Sequence, residues 1–268
     1  KNNNKAINSI ASMNKAIKGI CNILRRDKAK GAKLYVPEIT WLFFLRYLDL
    51  KDNIAEQRAN ALGQTYEPVL PSPYRWRDWA APYDKSKTKE ETISQKLQGW
   101  KRYELDNAGT DTYLQFINNE LFPFLKELKN KNGATDPHKV ISEIFINKEK
   151  TVVVSVTNMQ DVIDKVHELS NAEINDQHMF PISQAFEGLL PSLGEKKNDG
   201  GQFFTPREVI RLIVDVVNPQ LEKTVYDPCC GTGGFLIEAY KHLINQAPTP
   251  TQIASLKKKG KAVIQEVC

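Results

Sequence analysis

The sequence predicts a mostly helical amino-terminal domain that is followed by the start of a Rossmann-like α/β domain. Up to about residue 193, apolar residues recur at helical spacing, with breaks rich in proline and glycine between the helical stretches. Farther along, the β-prone Thr224–Tyr226 runs into a glycine-rich turn, and Phe235–Ile244 then shows a helical apolar pattern. Strand, glycine turn and helix form the first half of an α/β unit, whose ligand binds at the carboxyl end of the strand.

The best linker in the chain is Gly194–Gly201, which is rich in lysine, asparagine and glycine. We therefore place the domain boundary there, with a helical domain over residues 1–193 and the α/β segment over residues 194–268. A chain of 268 residues is long enough to hold two domains of medium size.

The composition excludes some classes of protein and leaves others open. With 41% hydrophobic and 26% charged residues, it is ordinary for a folded soluble protein, and apolar runs such as Trp41–Leu45 are too short to span a membrane. The four cysteines form no Cys-x-x-Cys pair and the four histidines are scattered, so we predict no metal site. The first residues carry no signal-peptide pattern, and a reduced cytoplasm fits best. The net charge of +5 permits a nucleic-acid partner without requiring one.

Apolar spacing and breaker residues predict the helices of the first domain. Pro37 opens the second of them, and the fourth is interrupted near Pro123. Thr151–Val156 has β propensity, but no partner strand for it is identifiable. The predicted helices cover residues 5–26, 38–62, 90–105, 111–129, 139–146, 158–169 and 176–190.

Two stretches of this domain have alternative interpretations. The basic turn Arg25–Lys33 either contacts DNA phosphate or is a solvated loop, and we favour the loop. The proline-rich residues 63–89 contain Tyr74–Trp79, where aromatic residues alternate with arginines. These side chains either stack on nucleic acid or belong to an ordered loop that Trp76 and Trp79 anchor against the helices, and we favour the anchored loop.

Thr205-Pro206-Arg207-Glu208 has the pattern of a helix start. Threonine is a good N-cap, proline suits the first helical position, and glutamate three residues after the threonine closes a capping box. Phe204 can pack against Val209 as a hydrophobic staple. This structural role leaves Gly201–Phe203 and Arg207 unexplained.

The glycine turn at Asp227–Phe235 restricts the class of ligand that the site can bind. Both the dinucleotide fingerprint and the phosphate-binding loop would need glycine at position 236, which is leucine. What remains is an acidic residue and a glycine turn that carries no phosphate-binding lysine. This combination suits a nucleoside ligand that lacks phosphates but carries an amino-acid tail. The alternative is a tight strand-to-helix turn of an ordinary α/β domain.

Together, Gly-Gln-Phe-Phe-Thr-Pro-Arg at 201–207 and Asp-Pro-Cys-Cys-Gly-Thr-Gly-Gly-Phe-Leu-Ile-Glu-Ala at 227–239 resemble the modification (methyltransferase) subunits of type I restriction-modification systems. These subunits are S-adenosylmethionine-dependent DNA adenine-N6 methyltransferases. The match extends over residues 176–245 and is loose before them. The resemblance implies S-adenosylmethionine as cofactor, with Asp227 near its methionyl end. The implied cofactor-binding residues are Gln202, Phe203, Phe204, Thr205, Pro206, Arg207, Asp227, Pro228, Gly231, Thr232, Gly233, Gly234 and Phe235.

The sequence departs from this family in one respect. Such enzymes hold the target adenine with an Asn-Pro-Pro-Phe/Tyr loop after the glycine motif, and no such loop occurs here. Asn218-Pro219-Gln220-Leu221 lacks the second proline and the aromatic residue, and it fits the end of the helix that begins at Pro206. We therefore expect no catalytic residue in this chain, an incomplete methyltransferase domain and no activity of the chain alone. The ribose-binding acid is either Glu266, after a second strand at 261–265, or a residue beyond Cys268.

The resemblance implies a function that depends on a complex. The partners would be double-stranded DNA with an adenine target, a specificity subunit gripped by the amino-terminal helices, a restriction subunit and a second modification subunit. Two alternatives remain. One is a single-chain adenine methyltransferase of the type IIG kind, and the other is a non-catalytic helical interaction module with a vestigial α/β part.

Overall fold

The computed structural model describes residues 10–27, 32–109, 111–170, 205, 207–221, 223–230, 233–247 and 249–255. The chain divides into two units, Lys1–Lys196 and Lys197–Cys268. The helices of the first unit are α1 (Ile10–Arg26), α2 (Ala32–Ala61), α3 (Trp76–Trp79), α4 (Lys89–Ser94), α5 (Trp100–Ala108), α6 (Thr112–Gln115), α7 (Phe122–Glu127), α8 (Asp136–Phe145) and α9 (Val156–Ser170), with a π-helical segment at Phe116–Leu121 and a 3₁₀ turn at Leu128–Asn130. The second unit contains α10 (Arg207–Val217) and α11 (Gly234–Gln246), and residues 250–255 are also helical. Within these ranges there is no β-strand.

The core of the first unit includes the space between α1, α2 and α9, and buried aromatic side chains of α3, α6, the π-helical segment, α7 and α8 extend it. Each of α1, α2 and α9 contributes an apolar stripe, as the spacing in the sequence predicted for α1 and α9. The fully buried side chains of these stripes include Ile17, Ile20, Leu24, Leu42, Leu45, Val162, Ile163 and Val166. Burying side chains of this size contributes about 1.5–3 kcal/mol each, which is the main force holding the three helices together.

The start of α2 differs from the prediction. The helix begins at Ala32, and Pro37 lies inside it and does not open it. Proline within a helix removes one backbone hydrogen bond, and it disfavours helical geometry at Val36 just before it. Packing offsets the cost of this additional helical turn before Pro37, because Tyr35 is buried in the core and Val36 packs against the core.

The proline-rich stretch forms the anchored loop that we favoured. Trp76 and Trp79 are fully buried, and the Trp79 ring stacks at 6.4 Å from that of Trp41. Trp76 Nε1 donates to His167 Nδ1 at 3.2 Å. Because both indoles are inside the core, they are not available for stacking on nucleic acid.

Two of the predicted helices are broken into shorter ones. Gly99 adopts a left-handed conformation (φ 73°) and separates α4 from α5, where one helix over 90–105 was predicted. A Cβ at Gly99 would lie 2.7 Å from the carbonyl oxygen of Ala81, so only glycine fits this close approach. The predicted interruption near Pro123 takes the form of the π-helical segment. There Phe122 N–H donates to Ile117, five residues back, just before the proline, which has no N–H.

The β-prone segment after Lys150 forms its hydrogen bonds with carboxylate side chains and not with a neighbouring strand. Thr151 Oγ1 donates to Glu38 Oε2 at 2.7 Å, and the backbone N–H of Val152 donates to the other carboxylate oxygen at 3.3 Å. The N–H groups of Val154 and Ser155 donate to Asp27 at 3.2 and 3.1 Å. Two buried carboxylates thus satisfy backbone groups that a neighbouring strand would otherwise satisfy.

Several predictions lie outside the described residues. These are the helix over 176–190, the linker Gly194–Gly201, the strand over 261–265 and Glu266.

Candidate cofactor site

The second unit is built on two helices that run parallel. Four contacts follow one another along α10 and α11: Ile210 with Gly234, Arg211 with Glu238 at 3.6 Å, Asp215 with His242 at 3.4 Å, and Asn218 with Gln246 at 2.9 Å. Positions increase together in both helices, so their amino-terminal ends lie at the same end of the unit. This arrangement brings the Thr205–Arg207 helix start and the Gly233 turn to one end.

Gly234 lies against the Ile210 side chain. A Cβ at this position would lie 2.9 Å from Ile210 Cδ1, so the end of that side chain would have to move aside. Ile210, Val214 and Ala239 form the small buried core between the helices, and Val225 and Phe235 pack against it.

Gly233 has a different role, because it closes the turn before α11. It is left-handed, with φ 74° and ψ 19°, and its N–H donates to Cys230 O at 2.7 Å. A Cβ there would meet no described atom within 4 Å, so one side of the turn is open space. The first N–H groups of a helix have no partner within the helix and carry partial positive charge, so the start of α11 supplies hydrogen-bond donors next to this turn.

Asp227 is held in place by the turn. Its Oδ1 accepts from the N–H of Cys229 at 3.1 Å, and the side chain is half-buried. The other carboxylate oxygen has no partner among the described residues and can accept from a ligand. The described residues therefore fit a small ligand that brings a donor to Asp227 and places its own backbone against Gly233.

The predicted strand Thr224–Tyr226 does not form one in the described part of the chain. The segment returns from the carboxyl end of α10 to the amino-terminal end of α11, a distance of about 16 Å for a helix of this length. Val225 packs on the helix pair, whereas Tyr226 is 85% exposed. A strand requires a hydrogen-bonded neighbour, and the described residues provide none.

The predicted site residues are only partly within the described chain. Thr205 is exposed and precedes α10, and Arg207 begins that helix. Asp227, Pro228, Gly233, Gly234 and Phe235 lie in or beside the turn described above. Outside the described residues lie Gln202, Phe203, Phe204, Pro206, Gly231 and Thr232.

The predicted helix end is confirmed. α10 ends at Val217, and Asn218 follows in a left-handed conformation (φ 47°), with Pro219 next. Asn218-Pro219 therefore terminates a helix, as the missing second proline and aromatic residue indicated.

Sequence reasoning missed the polar contacts that align the two helices. Glu238 is only 7% exposed and pairs with Lys241 at 2.9 Å as well as with Arg211. Asn218 Oδ1 receives hydrogen bonds from both His242 and Gln246. Apart from the local pair of Glu238 with Lys241, no periodicity signals these contacts, because they join residues that are distant in sequence.

Family models and known relatives match the chain over most of its length. Residues 13–166 match the family described as HsdM N-terminal domain, and residues 175–264 match N-6 DNA Methylase. The chain belongs to the family of type I modification subunits. It is 28% identical to the type I restriction enzyme EcoEI methylase subunit of Escherichia coli over 233 residues, which are 87% of this chain and 41% of that protein.

Solved structures agree with this assignment. A modification subunit of a putative type I restriction enzyme from Vibrio vulnificus YJ016 is 30% identical with a TM-score of 0.70, over 92% of this chain and 49% of that one. A chain from a study of complex assembly and conformational transition of the type I restriction-modification system is 32% identical with a TM-score of 0.58, over 92% of this chain and 44% of that one. The chain thus spans less than half the length of each of these three relatives.

Neither a metal cluster nor a membrane span is found within the described ranges. They contain no group of three or more potential ligands from His, Cys, Asp and Glu. None of their helices is long and apolar enough to cross a membrane.

Proposed function

We propose that this chain belongs to an enzyme that transfers a methyl group from S-adenosylmethionine to N6 of adenine in double-stranded DNA. The observation that carries the proposal is the shared end of α10 and α11. There an acceptor-bearing Asp227 and the open turn at Gly233 lie on the same side as the helix start at Arg207. Membership in the modification-subunit family supports the choice of reaction.

Within this proposal each motif has a role. The free oxygen of Asp227 accepts a hydrogen bond at the methionyl end of the cofactor. Gly231, Gly233 and Gly234, with Thr232, let the cofactor approach the backbone, and Pro228 and Phe235 flank the turn. The remaining wall is formed by Gln202, Phe203, Phe204, Thr205, Pro206 and Arg207. When bound, S-adenosylmethionine supplies the electrophilic methyl group.

We also propose that the second unit opens a Rossmann-like sheet. In such folds parallel helices alternate with strands that run back between them, as the segment from α10 to α11 does. α10 supports the idea, because it exposes apolar residues on the face away from α11: Leu212 is 63% exposed and Val216 76%. A sheet formed with further strands would cover such a face.

The adenine would be flipped from the duplex and would be held by a loop that this chain does not contain. Catalysis then rests on positioning the amine against the methyl group, with no covalent enzyme intermediate. By itself the chain transfers no methyl group, and tritium incorporation into adenine by the isolated chain would contradict this. The proposed setting is the cytoplasm, in a complex with a specificity subunit, a restriction subunit and a second modification subunit.

Binding of S-adenosylmethionine tests the proposal. Titration calorimetry on the full-length protein that contains this chain should detect one cofactor per chain. Asp227→Asn should weaken binding at least tenfold, because a hydrogen bond to a charged acceptor is worth about 1.5–3 kcal/mol. Lys223→Gln, an exposed change close to the turn, is the matched control and should leave the affinity unchanged.

The two alternatives give different results. No cofactor binding by the full-length protein would favour a non-catalytic interaction module. Methylation of one sequence by a single purified chain that also cleaves DNA would favour the type IIG arrangement.

A further inference from the structure

The exposed face of α1 carries positive charge and no negative charge. Over residues 15–26 its exposed side chains lie within an arc of roughly 100° around the helix axis, since successive residues are about 100° apart. We call this surface the α1 basic stripe, which consists of Lys15, Lys18, Asn22, Arg25 and Arg26. α1 contains no acidic residue, and Asp27, which follows it, is buried against the start of α9.

The charges of the stripe are not neutralised within the described chain. Lys15, Lys18 and Arg26 make no hydrogen bond or ion pair with other described residues. In the same unit Arg46, Arg77 and Arg102 are each paired with carboxylates. An uncompensated row of cations at an exposed surface is the electrostatic pattern of a site for a polyanion.

A groove beside the stripe supplies a surface for such a ligand. Its volume is about 640 Å³, and it is lined by Gly19, Asn22, Ile23, Arg25, Arg26 and Lys165. Lys165 comes from α9 and adds a further cation to the lining. Gly19 leaves the helix backbone open, because a Cβ there would meet no described atom within 4 Å.

Arg25 is preorganised within this groove. Its Nε donates to Cys21 O at 3.3 Å, and its guanidinium lies 5.5 Å from the centre of the Tyr35 ring. No carboxylate of the described chain pairs with its terminal nitrogens, which keep donors available to a ligand. An arginine held in this way binds phosphate oxygens with less loss of side-chain entropy.

We infer that the α1 basic stripe and Lys165 contact the phosphate backbone of double-stranded DNA. For Arg25 and Arg26 this replaces the solvated loop favoured from the sequence, because both residues lie in the last turn of α1. This inference rests on the proposed function, which supplies DNA as the substrate, and it adds a sequence-independent contact in the first unit. The stripe is about 16 Å long, a length over which one strand of a duplex carries about five phosphates, counted along the helix axis at 3.4 Å each. Lysine, arginine and asparagine are the side chains that make phosphate contacts. A protein partner fits less well, because the stripe exposes none of the aromatic or large apolar residues that form the centre of a protein interface.

Salt-dependent binding tests this inference. Fluorescence anisotropy with a labelled 24-base-pair duplex would be measured on the full-length protein from about 50 to 300 mM salt. The variant Lys15→Gln/Lys18→Gln/Arg26→Gln should bind about 10- to 100-fold more weakly near 100 mM salt. The slope of log affinity against log salt should fall by about 2–3, since each phosphate contact contributes about 0.9.

Two matched variants control for net charge and for folding. Lys51→Gln/Lys89→Gln/Lys139→Gln removes three exposed helix lysines of the same unit and should change the affinity less than twofold. Lys15→Arg/Lys18→Arg/Arg26→Lys keeps the stripe's charge and should bind like the parent protein. Both stripe variants are at exposed positions, and glutamine is as good a helix former as lysine.

The possible results separate this inference from the proposed function. If the stripe variant binds DNA like the lysine control, or if the parent protein binds no duplex, the inference is wrong. It is also wrong if the variant keeps its DNA affinity but no longer assembles with another subunit, since the stripe is then a protein interface. Calorimetry with S-adenosylmethionine on the same variants reports on the proposed function independently, because a failed cofactor site would appear there in the parent protein.

Discussion

The substitution Gly99→Ala should destabilise the first unit far more than the same substitution at Gly63. Both glycines are left-handed, with φ 73° and 66°. Alanine in this conformation costs about 1–2 kcal/mol at either position. At Gly63 a Cβ would meet nothing within 4 Å, so the conformational cost is the whole effect.

At Gly99 the Cβ would in addition collide with backbone. It would lie 2.7 Å from Ala81 O and 2.8 Å from Tyr83 N, and neither atom can move without shifting the main chain. The N–H of Gly99 also donates to Arg77 O at 2.8 Å, which ties this segment to the tryptophan-anchored loop. Overpacking of this kind costs about 1–3 kcal/mol more, so we expect a total of about 2–5 kcal/mol at Gly99.

Urea denaturation followed by tryptophan fluorescence measures the difference. All four tryptophans of the chain (Trp41, Trp76, Trp79 and Trp100) lie in the first unit, so the signal reports on that unit alone. Gly63→Ala should lower the free energy of unfolding by about 1–2 kcal/mol. Equal losses for the two variants, within about 0.5 kcal/mol, would refute the packing argument at Gly99.

Two further predictions concern buried groups of the first unit. Burial lowers the pKa of His167 from 6.5 to about 4, so the folded state favours the neutral imidazole. The stability that this provides above pH 6.5 should be lost as the pH falls toward 4. After allowing for partial screening, we expect the loss to be about 2 kcal/mol. His167→Gln should flatten this part of the stability profile measured by urea denaturation between pH 7 and 4.5; an unchanged profile would exclude the histidine as its cause. Glu38→Ala removes the acceptor of Trp41, Thr151 and Lys148 and should cost about 3–5 kcal/mol in urea denaturation, whereas Glu120→Ala, at an exposed position, should cost less than about 0.5 kcal/mol.

Apolar spacing and breaker residues in the sequence correctly predicted several helices, one helix end and two buried tryptophans. The apolar spacing identified α1, α9 and α11, and the Asn218-Pro219 pair correctly marked the end of α10. The same holds for Trp76 and Trp79, because two indoles in a proline-rich stretch that has no long helix or strand are most stable when buried.

The features that sequence reasoning missed depend on partners far away in the chain. α2 starts before Pro37 because Tyr35 finds a place in the core, and Thr151–Ser155 needs no strand partner because Glu38 and Asp27 accept from it. Gly99 breaks a helix because Ala81 and Tyr83 lie against it. In each case the decisive contact joins residues that the local pattern cannot relate.

In the candidate site, one motif combines a feature that the local sequence predicts with features that depend on distant contacts. A run of glycines predicts a tight turn, but it does not tell which glycine is needed for which reason. Gly233 supplies the left-handed conformation and leaves open space beside it, whereas Gly234 lets α11 pack against Ile210. The first property leaves room for the proposed cofactor, and the second belongs to the packing of α10 on α11, whose parallel alignment places Arg207 and Asp227 at one end of the unit. Adjacent glycines of one motif thus lie in two different surroundings, which only their contacts with residues distant in the sequence distinguish.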